Sequence, residues 1–237
     1  MANNYTYLAS ASLTITSSVT ASIQCWGAGG HGNTNGTGGS GAAFASSSIG
    51  LVAGSTYFIY VGKTTSGDGA PSSFGTGSVT LVKAPGGYVD GTVSKQLSLL
   101  TGSIRSQGGQ GGVPVPGIVH GGGGGSSGHP NSANGSDGAA NATIVGASYS
   151  TAGMHPNQSH TATNPRVNPE NPPAGGAAPT SGSGNGGTGA WYDSSTRSIF
   201  YPATAGSVPG GGGGGHAKNN ATDISAPGGN GMIIITY

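Results

Sequence analysis

Apolar residues in this 237-residue chain come in short packets with a two-residue rhythm. Leu13, Ile15, Val19, Ile23 and Cys25 occupy odd positions, and residues 56–61 (Thr-Tyr-Phe-Ile-Tyr-Val) form a dense aromatic and β-branched block. Alternation of this kind marks half-buried strands, because successive side chains point to opposite faces of a sheet. Residues 5–26 therefore read as one or two strands broken at Ser17-Ser18. Residues 42–49 and 56–61 read as a β-hairpin around 51–54, where Gly54 suits a turn with positive φ. Residues 71–75 followed by 78–82 give another strand, delivered into Gly86 and Gly87. No segment carries a 3.6-residue apolar period, and Gly, Ser, Thr, Asn and Pro are poor helix interiors, so helices are expected to be few or absent.

The two ends of the chain mirror each other. A strand within 22–26 runs into a glycine tract, and the tract at 228–231 runs into the closing strand, so the two strands are expected to pair and close one domain, 1–237. Between them, glycine dominates 27–41, 107–112, 121–125, 182–189 and 210–215. In a polyproline-II-like helix the backbone groups point outward and the rise is ~3.1 Å per residue, so five glycines span roughly 15 Å. Rods of this kind can bond one another through those groups, and only Gly lets backbones approach closely enough. The alternative is that the tracts are flexible linkers, but their dense recurrence within one domain favours packed rods. Glycine thins out at about 141–179, an insertion-like loop rich in Asn, Pro, His and Thr.

Composition sharpens this picture. Glycine supplies 51 residues and only 5% are charged, about threefold above and fivefold below ordinary usage. Such chains are usually disordered, and the strand-like packets are the argument that this one is ordered. A net charge of +1 with seven scattered Lys and Arg leaves no basic stripe, so nucleic acid is not an expected partner. No apolar run approaches the ~18 residues of a membrane span, and the start lacks a signal-peptide pattern, so a soluble protein made in a cytosol is expected, without membrane insertion. Cys25 stands alone, which excludes an internal disulfide, and its strand parity points to a buried structural thiol.

Catalytic chemistry finds little support. The six carboxylates, Asp68, Asp90, Asp137, Glu170, Asp193 and Asp223, form no close pair and mostly occupy turn-like contexts. The glycine tracts lack the following helix and the Lys-Ser/Thr of a phosphate loop, and Ser is too abundant to signal a nucleophile. A non-enzymatic protein without cofactor is expected. For metals, His155 and His160 lie five apart, and residues 131–138 weakly resemble a Ca²⁺ loop but lack its closing Glu, so no metal site is assigned. His120 and His216 flank glycine runs and suit rod ends. Six Asn-x-Ser/Thr sequons, at Asn4, Asn35, Asn134, Asn141, Asn157 and Asn220, follow from composition.

Taken together, Ile23-Gln-Cys-Trp-Gly-Ala-Gly-Gly30, Phe44 with the turn at 51–54, Tyr57-Phe-Ile-Tyr-Val-Gly62, Pro71-Ser-Ser-Phe-Gly75, Ala84-Pro-Gly-Gly87 and Gly228-Gly-Asn-Gly-Met-Ile-Ile-Ile-Thr-Tyr237 resemble the glycine-rich domain at the tips of bacteriophage tail fibres. A similar pattern occurs in an extracellular region of a receptor tyrosine kinase. The resemblance implies an all-β fold, a glycine-rich β-sandwich or jelly-roll-like domain with packed polyglycine II helices, long loops and few or no α-helices. It also implies a virion protein, a tail-fibre or tail-tip adhesin that is commonly trimeric. Its partners are then other virion proteins and a host cell-surface polysaccharide or outer-membrane protein. The chain is similar to the distal adhesins of T-even-like phages, whose loops between glycine motifs touch the receptor, but it shows no separate fibre-attachment domain before the glycine-rich part. A self-assembling capsid decoration or filament subunit is the other expectation, with the apolar 232–235 end adding an edge strand to a neighbour.

The aromatic stretch 190–201 reads as a hairpin presented on a glycine scaffold. Loops of Tyr, Trp, Ser, Gly and Asn resemble a paratope, in which aromatics supply area and small polar residues supply adaptable hydrogen bonds. Trp191, Tyr192, Phe200 and Tyr201 are therefore the first receptor-binding candidates, followed by Tyr149, His155 and His160. The competing expectation is that these aromatics cover the ends of the glycine bundle.

Overall fold

The computed structural model describes residues 2–113, 121–131, 133–138, 148–150, 159–161, 175–178, 183–193, 198–216 and 225–237. Its strands are β1 (Asn4–Tyr7), β2 (Ala11–Thr14), β3 (Val19–Trp26), β4 (Phe44–Leu51), β5 (Thr56–Tyr60), β6 (Ser72–Gly75), β7 (Thr80–Ala84), β8 (Ile104–Ser106), β9 (Ser148–Ser150), β10 (Ser159–Thr161), β11 (Trp191–Asp193), β12 (Ser198–Tyr201) and β13 (Met232–Thr236). A single helical turn, α1 (Gln96–Leu99), interrupts them. A five-stranded antiparallel sheet, β1-β13-β3-β4-β8, faces a four-stranded one, β2-β5-β6-β7, as an all-β sandwich.

The strand parity read from the sequence sets the core. Ala21, Ile23 and Cys25 of β3 are fully buried, flanked in the sheet by Ile235 and Ile233 of β13. Tyr57, Ile59, Phe74, Val82 and Ala84 close over them from the second sheet, with Tyr57 and Phe74 stacked at 5.3 Å. The chain ends do meet, since β13 pairs with β3 from Met232↔Trp26 to Thr236↔Ser22. Burial without a polar partner pushes the Cys25 thiol far above its ordinary pKa, which keeps it protonated.

Three expectations are corrected. Residues 5–26 hold parts of three strands, β1, β2 and β3, and not one or two. Residues 42–49 and 56–61 do not form a hairpin: β4 pairs with β3 and β8, whereas β5 pairs with β2 and β6, in the other sheet. Their connection does carry Gly54 at φ +79°, but it turns a corner between sheets, pinned by the Val52 N–H donating to the Tyr57 hydroxyl at 3.1 Å. A turn signal fixes local backbone and not the partner. Likewise 232–235 offers no free edge, because β13 lies between β1 and β3.

The glycine tracts between the strands form rods of polyglycine II geometry, and their hydrogen bonds repeat every third residue. In rod 210–216, Gly212 and Gly215 donate to Gly125 and Gly122, Gly213 and His216 to Gly30 and Asn33, and Gly211 and Gly214 to Ser207 and Thr204. The same rod accepts from Ala42 and Gly39, from Gly229 and Ala226, and from Gly187 and Ala190. Six neighbours thus surround one rod through bonds of 2.7–3.1 Å, as a three-residue turn with outward-pointing groups requires. A Cβ on Gly214 would lie 1.8 Å from the Thr188 carbonyl oxygen, and one on Gly125 2.0 Å from that of Gly109. Glycine is therefore the packing residue, and the tracts are not linkers.

Candidate functional site

The rods stand on the ends of the sandwich strands and run up and down between two levels. At the base, β3 enters rod 27–33 at Trp26, and rod 37–43 returns into β4 at Phe44. These two rings lie on the sheet face opposite the sandwich core, 4.8 Å apart and fully buried. The Trp26 indole N–H donates to Gly128 O at 3.1 Å, which ties the sheet to the bundle. Beside them the buried Gln96 fills a gap between rods: its carboxamide donates to Gly41 O and Gly86 O and accepts from Gly108 N–H, at 2.8, 3.2 and 2.9 Å. Helix α1 serves to place it.

The other level, which we call the tip, is defined by the same hydrogen bonds. Rod 27–33 climbs to a turn at 33–36, which meets Gly122 and His216 through Gly36 O and Asn33 O. Gly121, at the start of a descending rod, donates to Ala190 O, and Ala190 donates to Gly215 O. Ser225, which opens the last descending rod, places its hydroxyl 3.3 Å from His31 Nδ1. The described residues that flank 114–120, 191–201 and 217–224 therefore all lie at the tip. Segment 139–174 leaves beside it, after Gly138, whose N–H donates to Gln110 O at 2.6 Å. That segment returns at Gly175–Gly176, where Gly176 donates to Gly124 O.

Every receptor-binding candidate from the sequence falls in these connections. Trp191 stands opposite Tyr201 in the antiparallel ribbon β11–β12, Tyr192 stands opposite Ile199, and a register shift between Trp191 and Tyr192 leaves Phe200 as the extra residue. The expected aromatic hairpin is thus present, rooted in Ala190. In the ribbon β9–β10, Tyr149 and His160 are direct register partners. His155 lies outside the described residues, as does His120. The sequence reading missed the turn at 33–36, where Asn33 Oδ1 accepts from Asn35 N–H at 3.1 Å and Asn35 Oδ1 from Thr37 N–H at 3.0 Å. Two Asn flanking Thr34 between glycine tracts were the available turn signal.

The candidates for other chemistry have structural employment. In the segment that weakly resembles a Ca²⁺ loop, Asn134 Oδ1 accepts from Gln107 N–H and Asp137 Oδ1 from Gln110 N–H. These oxygens fasten neighbouring rods. Asp68 and Asp90 accept from the backbone of Val89 and Thr92. Together with burial, the larger effect, their charges raise the pKa of Tyr88. Among the described residues, no group of three or more His, Cys, Asp or Glu side chains is placed to hold a metal ion.

A family model described as a glycine-rich domain matches residues 6–237. The chain belongs to this glycine-rich domain family. No curated protein matches it. The matched span takes in every described rod and all of the sandwich from the middle of β1 onward, so the family extends over base and tip alike.

Proposed function

We propose that this glycine-rich domain is a non-enzymatic bacteriophage virion protein, a tail-fibre or tail-tip adhesin whose tip recognises the host surface. The observation that carries the reading is topological: the ribbon β11–β12 and the described rod ends that flank the long connections lie at or beside the end of the rod bundle remote from the sandwich. Binding residues concentrate on loops held by a rigid scaffold, where ordering entropy is already spent before contact. The partners are a host polysaccharide or outer-membrane protein at the tip and other virion proteins at the base, with assembly as a homotrimer.

The test is binding of the labelled chain to a panel of whole bacterial cells, with Trp191→Ala/Tyr192→Ala as the paired variant. Staining of a particular host, lost in the variant with melting unchanged, is the expected result. A chain that stains no cell and grows into closed or fibrous assemblies in light scattering would replace this reading with that of a shell or filament subunit. The exposed strand β1 favours that second reading, because among the described residues no strand pairs with its outer edge.

A further inference from the structure

We infer that the tip carries a site of spontaneous covalent change: the Asn35 carboxamide is converted to an aspartate or isoaspartate by its own backbone, while the fold holds the other Asn-Gly pairs of the chain intact. The change needs no partner, so the inference stands or falls independently of the adhesin reading.

Asn is followed by Gly at positions 35, 134, 185 and 230. Gly places no side chain beside its backbone nitrogen, which leaves that nitrogen open to attack the carboxamide carbon of the preceding Asn. The Gly N–H gives its proton to hydroxide, the N–Cγ bond forms, the Cγ–Nδ2 bond breaks, and the departing nitrogen takes a proton from water and leaves as ammonia. Water then opens the cyclic imide at either carbonyl. Opening at Cγ gives aspartate, and opening at the main-chain carbonyl gives isoaspartate, whose backbone is longer by a methylene. The sum is amide plus water to acid plus ammonia, with no oxidation or reduction.

The four pairs share a sequence but not a geometry. Asn134 Oδ1 accepts from Gln107 N–H at 3.0 Å, Asn185 Oδ1 from Ala178 N–H at 2.6 Å and Asn230 Oδ1 from Thr64 N–H at 3.1 Å. Each of these carboxamides is drawn towards another segment and away from its own glycine. The attacking nitrogens are engaged across the fold as well, with Gly135 donating to Gln107 O, Gly186 to Gly176 O and Gly231 to Gly62 O, each at 2.9 Å. Ring closure at these positions requires neighbouring segments to part.

Asn35 is held the opposite way. Its Oδ1 accepts from Thr37 N–H, two residues on, at 3.0 Å, which folds the carboxamide back over Gly36 N. The same N–H polarises the carbonyl under attack and faces the oxygen on which negative charge develops. Holding the two reacting groups together in this way accelerates an intramolecular step. Gly36 N–H donates within the turn, to Asn33 O at 3.1 Å, and Asn33 O also accepts from His216 N–H at 3.1 Å. Gly36 therefore lets go without orphaning that carbonyl. Asn35 is exposed, so hydroxide and water reach it. The product alters the tip, because Gly36 O accepts from Gly122 N–H at 2.7 Å and an isoaspartate at 35 shifts the carbonyls that fasten the turn to its rods.

The experiment incubates the full chain, folded, in mildly alkaline buffer beside a sample unfolded in urea. Both are digested, and the peptides holding the four pairs are followed by mass for amide-to-acid conversion, with isoaspartyl methyltransferase labelling for the longer-backbone product. In the folded chain position 35 should convert at least about tenfold faster than any of the others, and faster as pH rises, whereas in urea the four should approach one rate. Asn35→Gln, which would need a larger ring, should melt as the parent does and lose the early methyl label. Conversion at 134, 185 or 230 that matches or precedes position 35 in the folded chain overturns the inference, as does a position 35 that stays intact as long as they do. A ranking that persists unchanged in urea also overturns it, since flanking sequence and not the fold would then set the order.

Discussion

Substituting Gly214 by Ala tests the rod packing at its tightest point. The added Cβ would sit 1.8 Å from Thr188 O and 2.5 Å from the Thr188 carbonyl carbon. Ordinary contact, at 3.4 Å or more, needs the neighbouring rod to retreat by about 1.6 Å, a movement that stretches hydrogen bonds past their useful range. The bonds at stake are Gly187 N–H to Gly212 O at 2.7 Å and Ala190 N–H to Gly215 O at 3.0 Å. They leave four backbone groups without partners, and at the low end of about 1 kcal/mol per orphaned buried group the loss is about 4 kcal/mol. That is a large part of the ~5–15 kcal/mol a domain has. The φ of Gly214 lies outside the left-handed region, so a side chain is excluded by packing and not by backbone conformation. Gly50→Ala is the control, since nothing lies within 4 Å of its Cβ position, and it should be neutral or stabilising by up to ~1 kcal/mol. Urea unfolding at 25 °C followed by tryptophan fluorescence reads both. A Gly214→Ala protein within about 1 kcal/mol of the parent would refute the close-packed rods.

Gln96→Leu should lose about 3 kcal/mol, because Gly41 O, Gly86 O and Gly108 N–H all lose their partner. Gln96→Glu should be least stable at neutral pH: burial against two carbonyl oxygens raises the folded pKa above the unfolded ~4.3. Stability relative to the parent is then retained below the unfolded pKa and lost as pH rises through the folded one, which denaturation between pH 3 and 8 checks. Gly54→Ala, at φ +79° in open space, should cost about 1–2 kcal/mol from backbone strain alone in the same assay. Cys25 should resist thiol reagents in the native state and react only as fast as the protein opens, because it is fully buried with a raised pKa. Rapid labelling under native conditions would contradict that.

Much of this fold is legible from residue types, and the failures share a cause. Ile23 and Cys25 declare their face by alternation, and runs such as 211–215 declare rods because no other residue fits where a Cβ would meet a carbonyl. Partner choice is not written locally. The corner at 51–54 has the residues of a hairpin turn, yet β3 offers β4 an eight-residue register in the other sheet. The break between β1 and β2 carries no Gly or Pro, and its structural reason is distant: Ser10 Oγ accepts from Val61 N–H at 3.1 Å. Gln96 could not be singled out, since its three partners lie on separate tracts. The candidate site was legible as chemistry in 190–201. Its company at the tip follows from the alternation of rising and descending rods, which only the hydrogen-bond register reveals.

Hydroxyl-radical footprinting of the chain while bound to host cells tests the central claim most directly, because it reads which end makes contact. Protection at 191–201 and 33–36, with Tyr60 on the sandwich, 55% exposed, modified as readily as in the free protein, is the predicted result. Protection of the sandwich face around Phe58 and Tyr60 with the tip still reactive would contradict it.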